Sequence, residues 1–434
     1  MAVAFHFWGE QMNVRRCIAA QFGCLVCVVL FGLASCDNPA TKAQVNRTDG
    51  GLDGSSNFVP PDGASTIESD DGGLDADSGV DSGELAVAPS RKIYIADSDN
   101  HVIRVVYENG TTEIVAGSGT VGFGGDDAGA TEALLNAPAG VAVDGAGNIY
   151  IADRGNHVIR RVSSQGIIST IAGTPQTAGY NDAGVATAAQ LNGPKAVAVD
   201  KVGNVYIADS HNQIVRRVDV ANGTISTIAG VPEVAGYNAE TLATKAQLNE
   251  PTGVAVGVNG NIYIADGYNF IVRRVDNTGT ISTVAGQAMK SSWNGDNVPA
   301  TDAGLCEPYG IVLDPDLTMY ISDWGANVVR RVSNTGIIST IAGIAGGEGY
   351  TGDAGATTTP LRSPAGIALD QAGNVYIAET GNHIVRMVND AGIITTIAGT
   401  PEASGKNPPS DGGMPEKATT TLLSSPRGVA IDMR

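Results

Sequence analysis

Residues 424–434 read "SSPRGVAIDMR", and the chain closes on them. The core of this phrase is a proline followed by a short run of small and aliphatic residues, usually with a glycine near its start and an Asp at its end. It occurs five times earlier, from Pro138, Pro194, Pro251, Pro308 and Pro364. Each earlier copy runs on into a second apolar stretch of the "NIYIAD" type, and the last does not. Working outward, "YIAD" or a close variant begins at Tyr94, Tyr150, Tyr206, Tyr263, Tyr320 and Tyr376, every 56 or 57 residues. A period of that size with several strands per unit signals a propeller-type array.

One unit reads "PAGVAVD", "GNIYIAD", "NHVIRRV" and "GIISTIAG", followed by a long connection rich in Gly, Asp and Thr. These four runs are expected as strands a, b, c and d of an antiparallel meander. They are nearly continuously apolar, as strands covered on both faces are. Gly and Ala in strand a suit a crowded centre.

The array opens at Arg91 with strands b, c and d, and ends at Arg434 with strand a alone. Four residues separate Asp144 from Ile149 in a complete unit. Met433, Arg434, Arg91 and Lys92 supply the same number between Asp432 and Ile93. The expected fold is therefore all-β: a six-bladed β-propeller of four-stranded antiparallel blades, closed by the C-terminal strand completing the first blade. Closure hides the edges an open sheet would expose.

The unit closely resembles the NHL repeat on Pro138, Gly140, Asp144, Tyr150, Asp153, Asn156, His157 and Arg160, and the resemblance covers residues 91–434. It implies a β-propeller and says little about activity. The chain departs from the pattern at Gly257, Ala196, Glu379 and Ala326.

Ahead of the repeats, Arg15 and Arg16 precede an apolar run that closes on Leu33-Ala34-Ser35-Cys36. This resembles the lipobox of bacterial lipoproteins, which implies lipidation of Cys36 and removal of the preceding residues. Residues 1–36 are thus expected as a signal peptide. Residues 37–90 hold eleven acids against Lys42 and Arg47 in a Gly/Ser/Asp-rich stretch, expected as a disordered linker. As a flexible coil it would span roughly 40 Å. The resemblance places the chain at a bacterial envelope, facing the periplasm or cell surface, with the membrane as a partner through its acyl chains. Of the five cysteines only Cys306 lies in the repeats, where it reads as a solitary packing residue.

A formal charge of −19 excludes nucleic acid as a partner, because phosphate binding needs a basic face. No "GKS/T" follows the glycine-rich runs and no Gly-x-Ser-x-Gly elbow occurs. The acids at the ends of the b strands, Asp97, Asp153, Asp209, Asp266, Asp323 and Glu379, recur in every unit and read as turn residues accepting backbone N–H groups. His101, His157 and His383 occupy equivalent turn positions, filled by Gln213, Phe270 and Asn327 elsewhere. Turns of neighbouring blades lie too far apart for one zinc, whose ligands sit at about 2 Å. His211, one place out of register, is expected to be exposed. Asp126, Asp182, Asp296 and Asp353 in the connections read as turn formers.

In a meander, the b–c turns and the d–a connections share one face. Function is expected there, where the repeat breaks its symmetry. The residue after the repeated proline is Ala139, Lys195, Thr252, Tyr309, Ala365 or Arg427, and the residue before it includes Glu250 and Glu307. Trp324 and Tyr268 break the b–c turns of neighbouring blades. The candidate ligand-binding set is Lys195, Glu250, Tyr268, Glu307, Tyr309, Trp324 and Arg427, with Lys195, Tyr309 and Arg427 expected to point into solvent. The function expected is a monomeric binding or scaffold module for a protein, peptide or glycan, with no cofactor, metal or catalytic residue. The alternative is a metal-dependent propeller enzyme, a lactonase-type hydrolase or lyase, with its site in the central channel.

Overall fold

The computed structural model describes residues 91–182, 184–405 and 416–432. The expected signal segment with Cys36 and the expected linker 37–90 lie outside the described residues. Six antiparallel sheets form the blades of a propeller. Blade 2 shows the pattern, with strands a to d at Val141–Val143, Ile149–Asp153, Val158–Val162 and Ile167–Ala172 in hydrogen-bonded order.

The C-terminal strand Pro426–Asp432 pairs with Lys92–Asp97, with Ile431 opposite Ile93 and Val429 opposite Ile95. It therefore supplies strand a of blade 1, as the residue count at the two ends requires. The apolar faces of neighbouring blades form the core. Ile151, Ile168 and Leu135 of blade 2 pack with Ala96 and Ile103 of blade 1, all fully buried.

The connections do more than was expected of them. After leaving strand d of one blade, each crosses to the outer edge of the next and pairs there. Ala128–Gly129 lies against Ile167–Ile168, and Val298–Pro299, Ala354–Gly355 and Glu416–Lys417 do the same in blades 5, 6 and 1. In blades 3 and 4 the pairing shrinks to single bridges, Val185 to Thr224 and Leu242 to Thr280. The four-stranded expectation thus gains a fifth short strand in four blades. These strands cover outer edges that would otherwise be open for pairing.

At the centre, the six inner strands crowd one another. A Cβ on Gly366 would come within 2.5 Å of the Arg427 carbonyl oxygen of the next blade, which only glycine tolerates. Below its mouth the channel is walled by Val, Ile, Leu and Ala and encloses about 270 Å³.

Candidate functional site

The start of each strand a lies beside the end of its strand b: Pro251 faces Asp266, Pro308 faces Asp323 and Pro364 faces Glu379. The residues after the prolines therefore ring the channel mouth on the face of the connections. Tyr309 reaches inward from blade 5. Its ring lies 5.9 Å from Nζ of Lys195 on blade 3, and its hydroxyl is 3.5 Å from a guanidinium nitrogen of Arg427 on blade 1. Trp324, on the b–c turn of blade 5, stacks on Tyr309 with centroids 5.2 Å apart and planes 27° from parallel. The guanidinium of Arg427 lies 5.9 Å over the Trp324 ring.

Five of the seven predicted residues meet here, and two of them correct the expectation of solvent exposure. Lys195 is 7% and Tyr309 6% exposed, while Arg427 is half-buried. Lys195 donates to Oε1 of Glu250 at 2.7 Å, and His211 Nε2 stands 3.6 Å from the same oxygen. His211 is accordingly half-buried rather than exposed. Burial would raise the Glu250 carboxyl, but the His211 contact and the Lys195 charge hold it well below the usual carboxylate range. Burial likewise favours a high Tyr309 value, yet Arg427, Lys195 and Arg154 bring it below 10. Tyr268 and Glu307 stand on the same face. The first is held through its backbone N–H to Asn249, and the second accepts the Trp324 N–H at 3.0 Å.

Arg154, which opens the b–c turn of blade 2, was missed. Its signal was the variation at that turn position, Ser98, Arg154, Ser210, Gly267, Trp324 and Thr380, which had singled out only Trp324.

The recurring acids have structural work. Asp153 accepts the Asn136 backbone N–H at 2.8 Å and the Asn156 amide at 2.8 Å, with Arg160 3.7 Å away. Burial pushes the Asp153, Asp209 and Asp266 carboxyls up to about 7 against these lowering partners. The connection acids are not simple turn formers. Asp126 and Asp182 take ion pairs from Arg160 and Arg216 at 2.7 and 2.5 Å, and Asp296 and Asp353 pair with Arg330 and Arg386. An aromatic ring from the same connection, Phe123 or Tyr180, covers the guanidinium. Each such arginine pins a connection onto the blade it crosses.

The histidines also act between blades. Nδ1 of His101, His157 and His383 accepts the backbone N–H of Ala137, Gly193 and Ser425, the residue before the next blade's proline. Gln213 and Asn327 accept the equivalent N–H groups of Glu250 and Ser363. Among the described residues, no three His, Cys, Asp or Glu side chains converge on a metal-sized site.

The model of the Teneurin NHL domain matches residues 109–181, 236–294 and 344–431, half of the chain. This chain belongs to the NHL-repeat β-propellers. It is 30% identical over 278 residues to mouse (Mus musculus) Teneurin-4, a span covering 57% of this chain and 10% of that protein. It is 27% identical over 268 residues to the Arabidopsis thaliana chloroplastic protein Suppressor of Quenching 1, covering 56% of this chain and 24% of that one. The chain therefore spans a quarter or less of these relatives. A Bacteroides thetaiotaomicron protein of unknown function, known from its crystal structure, shares the fold with a TM-score of 0.53 and 16% identity, over 78% of this chain and 85% of that one.

Several departures from the repeat unit meet at the mouth end of blade 5, one of them contributed by the b–c turn of blade 4. Phe270 stands where other blades place a hydrogen-bond acceptor. Its expected donor, the Glu307 N–H, goes to Asp323 at 2.9 Å instead. Ala137, Gly193, Glu250, Ser363 and Ser425 adopt left-handed backbone before their prolines, and Glu307 does not. Ala326 replaces the asparagine that elsewhere donates to the b-strand acid, and Asp323 also takes the Cys306 N–H. Ser322 replaces an alanine and bonds Gly310 N–H at 2.7 Å and the Ala365 carbonyl. Cys306 is buried and packs with Ala326 and Val328. These changes surround Tyr309 and Trp324.

Proposed function

We propose that this NHL propeller is a binding module, carried at a bacterial envelope by lipid on Cys36, that presents its connection face to a protein, peptide or glycan. The observation that carries the reading is the concentration of symmetry breaks around Tyr309 and Trp324. Repeat geometry explains residues shared by all blades, whereas residues on one blade need another reason. A half-buried tryptophan beside arginine is the composition of an interface anchor. The alternative, a metal-dependent hydrolase or lyase in the channel, has less support: Tyr309 fills the mouth, and the wall below it supplies valine, isoleucine and alanine rather than ligand atoms.

The test is to express the whole chain in a bacterium and crosslink it in place. Cys36→Ala should move the protein from the membrane to the soluble fraction. Trp324→Ala should remove the crosslinked species, while Lys201→Glu on the opposite face leaves them. Loss with Lys201→Glu and persistence with Trp324→Ala would assign binding to the other face.

A further inference from the structure

In blades 2, 3, 5 and 6 the acid of the crossing connection is held by two groups. One is Nη2 of the strand-c arginine, and the other is the threonine that faces this arginine on strand d. In blade 3 they are Arg216 and Thr227, at 2.5 and 3.4 Å from Asp182. In blade 2 the carboxylate divides its oxygens, Oδ1 of Asp126 to Arg160 and Oδ2 to Thr170, both at 2.7 Å. Blades 5 and 6 repeat the arrangement around Asp296 and Asp353.

Blade 4 keeps the frame and lacks the acid. Arg273 faces Thr283 across strands c and d, and the Tyr237 ring covers its guanidinium at 5.4 Å, as Tyr180 covers Arg216. The connection reads "GYNAET" where blade 3 has "GYNDAG", so Ala239 takes the place of Asp182. Arg273 is 2% exposed, and its Nε and Nη1 have no hydrogen-bond partner among the described residues. Asp266 stands 3.8 Å from Nη1, as Asp209 stands 3.7 Å from Nη1 of Arg216. What blade 4 forgoes is the second carboxylate, and a buried guanidinium left short of an acid keeps an unmet demand for one. Tyr237 and Ala239 are exposed, so the position opens to solvent. Glu240, beside Ala239, is exposed and makes no ion pair with Arg273.

We infer that blade 4 binds a carboxylate from outside the chain beside Ala239, held by the Arg273 guanidinium and the Thr283 hydroxyl next to the Tyr237 ring. The forked guanidinium donors match the paired oxygens of that group. The chemistry is named by the molecule itself, because four sibling blades place one carboxylate in the same frame. Arg273 and Thr283 belong to the outer strands c and d. The site is therefore separate from the Tyr309 and Trp324 mouth and does not rest on the reading given to it.

The test titrates the full chain, labelled with ¹⁵N-arginine, with acetate against chloride at matched ionic strength. The arginine Nε–H resonances are the readout. One resonance, absent from Arg273→Lys, should shift and saturate with acetate and not with chloride. If Arg273→Lys does not fold, Ala239→Asp marks the same resonance, because its own acid shifts it without acetate. Ala239→Asp should also raise the melting temperature and weaken acetate binding roughly tenfold or more. Asp182→Ala copies the blade 4 arrangement into blade 3 and should add a second responding resonance. A blocked Gly-Asp-Gly peptide that saturates at lower concentration than acetate makes the ligand an acidic peptide segment; the reverse order makes it a free acid. Glu240→Gln should bind as wild type does, and so should Trp324→Ala, so this site and the mouth fail separately. No saturable shift in wild type, an unchanged response in Ala239→Asp, or a response that appears only in Glu240→Gln overturns the site.

Discussion

Nζ of Lys195 lies 2.7 Å from Oε1 of Glu250, a pair that ties blade 3 to blade 4 with 7% and 17% of the two side chains exposed. Removing the lysine leaves a mostly buried carboxylate with His211 as its remaining neighbour. Lys195→Ala should therefore cost about 2 kcal/mol, short of the 3–5 kcal/mol for a fully buried pair. Glu250 has a depressed folded value, so the contribution is complete above its unfolded value near 4.3 and is lost as pH falls through the folded value. Urea midpoints should separate wild type from variant most widely at pH 7, with the gap beginning to narrow at pH 3.5. A gap of the same size at both pH values would show that the pair does not act through its charge.

His157 gives the opposite kind of test. Its Nδ1 accepts the Gly193 N–H at 3.0 Å, which requires the neutral ring. Burial, followed by the charges of His211 and Arg154, lowers its folded value below 6.5. Stability from this contact is complete above about 6.5 and is lost as pH falls through the folded value. Gln213 makes the same bond in blade 3 without titrating. His157→Gln should match wild type within about 0.5 kcal/mol at pH 7.5 and exceed it at pH 5. Thermal melts at the two pH values decide it; a variant weaker at pH 5 would contradict the acceptor role.

Arg160 and Asp126 should respond unequally although they form one ion pair. Arg160 is fully buried and also serves Asp153, whereas a third of the Asp126 side chain is exposed. Arg160→Met strands a buried acid and should cost on the order of 3–5 kcal/mol. Asp126→Asn keeps an acceptor near the guanidinium and should cost about 1 kcal/mol or less. Equal losses on denaturant titration would mean that the connection, not the blade interior, is the more sensitive partner.

Ring closure predicts that residues 426–434 cannot be spared. Their removal exposes the edge of Lys92–Asp97 and takes Val429 and Ala430 from two hydrophobic clusters. The truncated chain should lose its cooperative melt and bind a hydrophobic dye. A chain lacking residues 40–85 should melt as wild type does.

How much of this was legible follows from what recurs. The strands, their number and the closure could be read because six copies fix the period and the residues missing at one end match those at the other. The fifth strands could not: Ala128–Gly129 is two residues long, and no alternation can be seen in two residues. The Arg160–Asp126 pair spans 34 positions; both residues recur, and their joint recurrence was an unused sign of contact. At the mouth, position after the proline found Lys195, Tyr309 and Arg427. Their burial escaped, because it arises from six inner strands converging on one axis. Tyr309 meets Arg427 across 118 positions.

That burial changes which substitutions can test the face. Tyr309 is stacked on Trp324 and fills the mouth, so Tyr309→Ala should open a cavity and cost about 3 kcal/mol. Together with the cost at Lys195, this means that a triple variant of Lys195, Tyr309 and Arg427 would lose stability and binding at once. Trp324 and Arg427 are half-buried, and their interaction with each other lies at the rim. Trp324→Ala with Arg427→Gln forgoes one aromatic stack and one guanidinium contact, and should lower stability by about 1 kcal/mol. The pair should nevertheless abolish partner capture, because it removes both the tryptophan ring and the guanidinium that lies over it at the rim. Tyr309→Phe is the complement: it keeps the plug and the stack while deleting the hydroxyl beside Arg427, and should retain the melting temperature with weakened capture. Melting curves and capture assays on the same preparations separate the two effects. Full capture by the Trp324/Arg427 double variant at wild-type stability would remove the mouth of blade 5 as the binding site.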